Sequence, residues 1–166
     1  MKLPLIHKPL VRQLLPPFLR NYHKINKMKG EIKLDFIKSD TTGGHLCVSC
    51  KILDRDYILL IDTGASHTVF DSNLPASLFA EKNKESFSIE GFSEVSGATE
   101  SATIKEIVFG KLYLKNLHVK LIDLSHINHV IGSNLPYPLA GMLGGDFLSI
   151  HKAKIDYSRN KIKLHL

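Results

Sequence analysis

The chain has 166 residues, of which 43% are hydrophobic and 23% are charged, and its formal net charge is +6. This length indicates one domain, and this share of apolar residues is ordinary for a globular protein. Its apolar runs are shorter than the roughly 18 residues that a membrane-spanning helix needs, so we expect no membrane span.

Residues 1–30 differ in composition from the rest of the chain. They hold seven of the 22 basic side chains and none of the 16 acidic ones, which leaves 15 basic and 16 acidic side chains in residues 31–166. Four prolines interrupt any helix in this segment. We therefore expect a poorly ordered basic extension, residues 1–30, followed by one folded domain, residues 31–166. Because that domain has no basic surplus, we expect no nucleic acid partner.

Three interpretations of this N-terminal segment stay open. It is a disordered extension, a weak organelle-targeting segment, or sequence upstream of a translation start at Met28. The segment lacks the uninterrupted apolar centre and the small-residue cleavage site of a secretory signal. Its shortage of acidic residues is the one argument for targeting.

From residue 31 onward the hydrophobic period is mostly two, which predicts strands. Ile32, Leu34 and Phe36 alternate with more polar positions and predict one half-buried strand. Residues 46–53 and 57–61 then predict a hairpin, turned by the three residues between them.

Cys47 and Cys50 have the spacing of a redox or zinc motif, but they lie within the first strand of that hairpin. Positions three apart on a strand face opposite sides, which suits neither a disulfide nor one shared metal ion. We therefore interpret both as structural thiols, which favours a reducing compartment. The cytoplasm is the expected location, with targeting by residues 1–30 as the alternative.

The most informative stretch is the point where the second strand runs directly into Asp62-Thr63-Gly64-Ala65-Ser66. A carboxylate at the end of a buried strand is costly unless hydrogen-bond donors surround it. Gly64 lets the backbone turn close beneath the carboxylate, and Thr63 and Ser66 offer hydroxyls. A carboxylate held in this way is suited to acid–base chemistry. The alternative is an ordinary turn, because these residue types are all common in turns.

Further strands follow in chain order. Residues 68–70 resume a strand, and residues 73–80 predict a short helix capped by Asn73. Residues 87–109 predict a long hairpin with glycines near its bend, and residues 112–124 predict another strand pair turned near residues 115–116. Short strands at this spacing predict an all-β fold, a closed or nearly closed barrel.

The motif at Asp62 resembles the signature of the retropepsin-like aspartic proteases, a hydrophobic pair followed by Asp-Thr-Gly-Ala-Ser. A second family element, two apolar residues and a glycine before a short helix, is similar to Met142, Leu143 and Gly144. The closing strand pair of the family is similar to residues 153–157 and 161–164. The resemblance covers residues 31–166 and implies a retropepsin-like closed β-barrel with one or two short helices.

Only one aspartate has this setting, although the chemistry of such proteases needs two carboxylates that share a proton. Asp40 lies in a loop, Asp146 is a candidate N-cap of a short helix, and Asp156 lies in an alternating strand. The resemblance therefore implies half of a two-fold homodimer, in which each subunit supplies one Asp62. The expected function is aspartic endopeptidase, acting on a peptide or protein substrate.

The resemblance also implies supporting roles for other residues. Gly64 and Ser66 would stabilise the carboxylate, Thr63 would bond across the dimer axis, and the second family element would pack behind the loop. A mobile hairpin, the flap, would close over the substrate. Its tip is expected within Phe92, Ser93, Glu94, Val95, Ser96 and Gly97.

Neither a cofactor nor a metal ion is expected. The nine histidines are scattered; His126 and His129 are three apart in a predicted loop, but two histidines alone make a weak site. His67, directly after the Asp62 motif, is interpreted as a solvated turn residue. The alternative function is a catalytically silent dimeric β-barrel that binds peptides, since a fold alone does not establish catalysis.

Overall fold

The computed structural model describes residues 29–38, 43–85, 99–131 and 135–165. Residues 1–28, with the proposed start at Met28, and the six flap candidates lie outside this described part. The elements in chain order are β1 (Lys29–Lys33), β2 (Asp35–Lys38), β3 (Gly44–Ile52), β4 (Arg55–Ile61), β5 (Val69–Asp71), a 3-10 turn (Ala76–Leu78), β6 (Phe79–Glu85), β7 (Thr99–Phe109), β8 (Leu112–Ile122), α1 (Ser125–Ile131), β9 (Leu139–Leu143), α2 (Gly145–Ile150), β10 (Lys154–Asp156) and β11 (Lys161–His165).

Six strands close into a barrel. The larger sheet has the order β2-β3-β4-β9-β5-β8-β7-β6, and β3 also pairs with β7 through Lys51 and Val108. That extra pairing joins β3, β4, β9, β5, β8 and β7 into a ring, with β2 and β6 flanking it. The predicted all-β barrel with two short helices is confirmed.

Strand β4 is buried on both of its faces, which explains its unbroken apolar sequence. Leu59 points into the main core inside the barrel, together with Phe70 and Phe109. Ile58 and Leu60 point the other way, into a second cluster that Ile127 of α1 covers. Both faces of β4 are therefore held by packing up to the residue that precedes Asp62.

A separate three-stranded sheet has the order β1-β11-β10 and contains both ends of the described chain. The closing strand pair expected near the C-terminus is confirmed as β10 and β11, which are antiparallel. The single strand predicted from Ile32 to Phe36 is wrong, because Leu34 separates β1 from β2 and the two strands join different sheets. Phe36 is 42% exposed, since β2 is an edge strand.

Two other predictions fail for local reasons. The helix predicted over residues 73–80 is one 3-10 turn, and Phe79, buried in the core, already begins β6. Its predicted cap, Asn73, instead donates from Nδ2 to the carboxylates of Asp71 and Asp123, at 3.1 and 3.0 Å.

The strand pair predicted over residues 112–124 is the single strand β8, antiparallel to β7. The chain reverses before it, at Gly110, where φ is +59°. Asn116 takes φ +53° within β8, and the inward-facing leucines change from even to odd positions across it. The change in the hydrophobic pattern that suggested a turn is therefore produced by one residue, Asn116, in the left-handed conformation. The β3–β4 hairpin likewise turns at Leu53 and Asp54 rather than at residues 54–56, and both have positive φ.

No helix among the described residues is long and apolar enough to cross a membrane.

The two cysteines lie on opposite faces of β3, as the sequence predicted. Cys47 belongs to the second cluster and Cys50 to the main core, and both are free thiols. Burial raises the pKa of each thiol to about 12. We predict that neither reacts with a chromogenic disulfide reagent in the folded protein at about pH 8, because the thiolate is the reactive form. Both should react after unfolding in guanidinium.

A Lys111→Cys variant supplies the control, because Lys111 is exposed in the β7–β8 turn. It should gain one rapidly reacting thiol under the same native conditions. Rapid labelling of two thiols in the folded wild type would contradict the burial described for Cys47 and Cys50.

Candidate active site

Two parallel strands, β4 and β9, position the backbone at Asp62. β4 lies parallel to β9, with Leu60 opposite Met142 and Ile61 opposite Leu143. The ladder continues one step beyond the strands, because Asp62 N–H donates to the carbonyl of Leu143 at 3.1 Å. The two sequence motifs, far apart in the chain, are therefore neighbours at one end of the barrel.

The Asp62 carboxylate is held by the backbone of its own loop. Gly64 N–H donates to Oδ1 at 2.9 Å, and Ala65 N–H donates to the same oxygen at 3.3 Å. A Cβ at Gly64 would come within 3.3 Å of Oδ1, so a larger residue would crowd the carboxylate. Asp62 is half-buried, while Thr63 and Gly64 are exposed. Within the described part of the chain, no protein group donates a hydrogen bond to Oδ2.

Ser66 contributes its backbone rather than its hydroxyl to this arrangement. Its carbonyl accepts from Asp146 N–H at 3.2 Å, and Ala65 N–H takes the place that the resemblance gave to the Ser66 hydroxyl. Thr63 is exposed beside Asp62.

Gly144 allows the second motif to approach the Asp62 loop closely. A Cβ there would lie 2.4 Å from the carbonyl carbon of His67 and 2.5 Å from its oxygen. Backbone atoms cannot move aside as a flexible side chain can, so only glycine fits. Next to it, Gly145 N–H donates to the Ala65 carbonyl at 2.7 Å. Met142, Leu143 and Gly144 thus lie next to the Asp62 loop.

A partly buried hydrogen-bond network centred on Asp146 fixes this contact. Asp146 Oδ1 accepts from Thr68 N–H at 2.8 Å, from the Thr68 hydroxyl at 2.7 Å and from Phe147 N–H at 2.6 Å. The Thr68 hydroxyl also accepts from Gly144 N–H at 3.1 Å. Thr68 is only 1% exposed, so its hydroxyl and the Gly144 N–H are shielded from water, whereas the Asp146 carboxylate is partly exposed. One threonine and one carboxylate therefore clamp the two loops together.

Sequence reasoning missed this network. Asp146 was predicted to be an N-cap, which is wrong: the N-cap of α2 is Gly144, and Asp146 lies in the first turn. The carboxylate is instead used to bind Thr68. His67 is exposed, as predicted, but its Nδ1 lies 3.8 Å from Asp146 Oδ2. Two residues in the sequence could have revealed this network: Asp146, which lies inside the second motif, and Thr68, which follows shortly after the first.

A buried carboxylate, Asp71, lies at the end of β5 and is only 7% exposed. Its oxygens accept from Asn73, from Asn128 of α1 at 3.2 Å and from Leu124 N–H at 3.4 Å. These hydrogen bonds from the same chain satisfy the Asp71 carboxylate, so we interpret Asp71 as a residue that anchors α1 rather than one that contacts substrate.

His126 and His129 are not part of a metal-binding cluster among the described residues. No group of three or more His, Cys, Asp or Glu residues in the described ranges could hold a metal ion. His126 and His129 lie on α1 rather than in the predicted loop.

Comparison with known proteins identifies the family. A family model described as aspartyl protease matches residues 48–147, which is more than half of the chain and includes both motifs. The chain belongs to this aspartyl protease family. The expectation drawn from the two motifs is thereby confirmed at the level of the family. No curated protein matches the chain.

Several solved structures are similar to this aspartyl protease. A retropepsin-like aspartic protease from Rickettsia conorii is 20% identical, with a TM-score of 0.46 over 82% of this chain and 90% of that one. The retroviral protease-like domain of Ddi1 from Leishmania major is 16% identical, with a TM-score of 0.48 over 72% and 87%. The EIAV protease, solved with an inhibitor, is 21% identical, with a TM-score of 0.43 over 70% and 97%.

The clamp between the two loops makes a stability prediction. Thr68→Val keeps the shape of the side chain but leaves Gly144 N–H without an acceptor and removes one donor to Asp146. We expect the free energy of unfolding to fall by about 2–4 kcal/mol, because unsatisfied buried groups are costly. Urea unfolding at neutral pH measures the change.

Two further variants make that result specific. Thr68→Ser retains the hydroxyl and should recover most of the loss. Thr103→Val removes a surface hydroxyl that lies 3.0 Å from His118 Nδ1, and it should change stability little. If Thr68→Val were no more destabilising than Thr103→Val, the clamp would not stabilise the fold.

Proposed function

We propose that this aspartyl protease is an active aspartic endopeptidase that works as a homodimer, with one Asp62 from each subunit in a shared site. The observation that carries the proposal is the Asp62 carboxylate itself. Its Oδ1 is fixed by two backbone N–H groups, while its Oδ2 has no donor among the described residues. This leaves one oxygen oriented and available for a proton.

No second carboxylate among the described residues has the setting of Asp62, so we propose that it comes from another chain. Asp146 is committed to Thr68 and Phe147, and Asp71 is committed to the contacts of α1. Neither repeats the setting of Asp62 at the open end of β4. A two-fold axis beside the exposed Thr63 would bring two copies of Asp62 together. At that distance two carboxylates cannot both ionise, so they share one proton.

The shared proton gives the two carboxylates different tasks. The ionised Asp62 takes a proton from a water molecule as the water oxygen attacks the peptide carbonyl carbon. The protonated Asp62 donates a hydrogen bond to the carbonyl oxygen as negative charge develops there. Proton transfer to the amide nitrogen then allows the C–N bond to break, which releases an acid and an amine. The reaction uses water and two carboxylates and calls for no cofactor.

Other parts of the proposal concern the surroundings of the site. Residues 92–97 are proposed as the flap that closes over a bound peptide and excludes water. Thr63 is proposed to bond across the dimer axis. The free, buried thiols of Cys47 and Cys50 support a cytoplasmic location, with targeting by residues 1–30 as the alternative.

Asp62→Asn tests the catalytic assignment directly. An amide can still accept from Gly64 N–H, so the loop should keep its structure, but it cannot share a proton. We expect hydrolysis of a diverse peptide mixture, followed by mass spectrometry, to fall by about 10²–10⁴-fold or more. The melting temperature and the sedimentation behaviour should not change.

Asp54→Asn is the matched control, because Asp54 lies in the exposed β3–β4 turn at φ +65°, which asparagine tolerates. It should retain full activity. Wild-type rates for Asp62→Asn would overturn the catalytic role. Peptide binding by the wild type without any cleavage would indicate a catalytically silent barrel instead.

A shared site also predicts how activity depends on concentration and pH. Specific activity should fall on dilution as the dimer dissociates. Added Asp62→Asn should inhibit the wild type, because each mixed dimer holds only one carboxylate. The pH profile should be bell-shaped, since the reaction needs one protonated and one ionised carboxylate. Activity per mole that stays constant at every dilution, and that ignores the added variant, would place the second acid within the same chain.

A further inference from the structure

One histidine joins the end of α2 to the last residue of β11. The carbonyl of His151, directly after α2, accepts from His165 N–H at 2.8 Å, and its ring Nδ1 lies 3.3 Å from the His165 carbonyl oxygen. The side chain is half-buried, and its ring packs against that of Phe147, with the ring centres 4.4 Å apart. The backbone and the side chain of His151 therefore both bind the same residue of β11.

The hydrogen bond from the ring fixes the tautomer of His151. A carbonyl oxygen only accepts, so the donor must be Nδ1–H, and Nε2 of the neutral ring carries no proton. No described residue forms a hydrogen bond or an ion pair with Nε2. An added proton therefore goes to a nitrogen without a described partner.

The other end of α2 supports the Asp62 loop. Gly145 N–H, at the first residue of the helix, donates to the Ala65 carbonyl at 2.7 Å. Phe147 and Leu148, in the middle of the helix, are buried in the main core. This short helix therefore connects the Asp62 loop at its beginning to β11 at its end.

The charged groups of α2 and of the turn after it do not favour a positive charge on the His151 ring. Asp146 is the one acidic residue of α2, and its Oδ1 already accepts from the Thr68 hydroxyl. Lys152 follows His151 directly and is itself basic. Neither residue forms an ion pair with the ring.

The three-stranded sheet on the other side of the contact is basic. Residues 31–33 and 152–165 carry six basic and two acidic side chains, a net of +4, whereas residues 34–151 carry nine basic and 14 acidic side chains, a net of −5. Lys29 of β1 is in register with His165. Both acidic residues of the sheet are already paired with basic ones, Glu31 with Lys161 and Lys163, and Asp156 with Arg159.

We propose that His151 is an acid-sensitive latch between α2 and β11. Protonation at Nε2 places a charge without an anionic partner at a half-buried position beside a basic sheet. The latch then weakens, and the domain loses stability as the medium becomes acidic. The inference concerns the fold, and it holds whether or not the chain cleaves peptides.

The direction of the effect follows from burial. Burial holds the pKa of His151 below its usual value of about 6.5, although the His165 carbonyl acts in the opposite direction. The unfolded chain therefore takes up this proton at a higher pH than the folded chain, so acid favours unfolding. The contribution of His151 to stability is complete well above about pH 6.5, and it is lost as the pH falls from there through the lower pKa of the folded state.

An NMR titration of the histidine rings in the full-length wild type tests the proposal without any substitution. The His151 ring can be assigned from its contact with the Phe147 ring. Its resonance should titrate below about pH 6.5. A midpoint at or above that pH would overturn the latch, because acid would then not weaken the contact.

His151→Gln removes the titrating group but keeps an amide that can donate to the His165 carbonyl. Urea unfolding is measured at about pH 7.5 and about pH 5.5. Over this range the unfolding equilibrium constant should rise by up to about tenfold more for the wild type than for the variant, which is the limit for one histidine. His126→Gln, which removes an exposed histidine of α1, should keep the pH dependence of the wild type. Equal pH dependence for wild type and His151→Gln would make the proposal wrong.

Amide hydrogen exchange tests whether the loss is local. After correction for the intrinsic effect of pH, protection of His165 N–H should fall on acidification in the wild type and should change little in His151→Gln. Leu60 N–H, in the buried strand β4, is the internal reference. If protection of His165 follows that of Leu60 at every pH in both proteins, the α2–β11 contact does not open by itself and His151 is not a latch.

Discussion

The contact between the Asp62 loop and the segment that begins α2 is the constraint on which the candidate site depends. The loop has no regular secondary structure, so its shape has to be imposed by its neighbours. Gly144 permits the two segments to approach closely. Hydrogen bonds of the Thr68 hydroxyl with Asp146 and with Gly144 N–H then hold them together. The loop that makes this contact also presents two N–H groups to the Asp62 carboxylate.

The barrel supplies what the clamp cannot, a fixed starting point for the loop. β4 and β9 lie side by side and are packed on both faces, so neither strand can slide or rotate without exposing apolar surface. The hydrogen bond from Asp62 to Leu143 transmits that fixed register one residue past the end of the strand. A half-exposed carboxylate thus lies on rigid supports, which suits acid–base chemistry.

Features encoded by neighbouring residues could be predicted from the sequence. The apolar run before Asp62 predicted a buried strand, and the glycine in the motif predicted a close turn, because both depend on local chemistry. At residues 112–124 the pattern of apolar residues predicted two strands, which was wrong because Asn116 adopts positive φ inside one strand. At residues 73–80, good helix signals lost to the burial of Phe79 at the start of β6. In each case tertiary packing outweighed local preference.

Long-range features were beyond the reach of such reasoning. Thr68 and Asp146 are 78 positions apart, and no periodicity relates them. The barrel closure through Lys51 and Val108 is equally invisible in the sequence. The separation of charge between the three-stranded sheet and the rest of the domain was also concealed, because it depends on which strands become neighbours. A total over residues 31–166 averages it away.

The two hydrogen bonds to Asp62 come from its own loop, and this has a consequence for how activity would be controlled. Both donors to the carboxylate come from the same loop of the same chain, so a lone subunit already carries a finished half of the proposed centre. In the proposed homodimer, association would only bring two preformed Asp62 loops together. It would not have to fold either loop. Under the proposed homodimer mechanism, cellular abundance would act as the switch: a scarce protein would stay monomeric and inactive, and a higher local concentration of subunits would activate it.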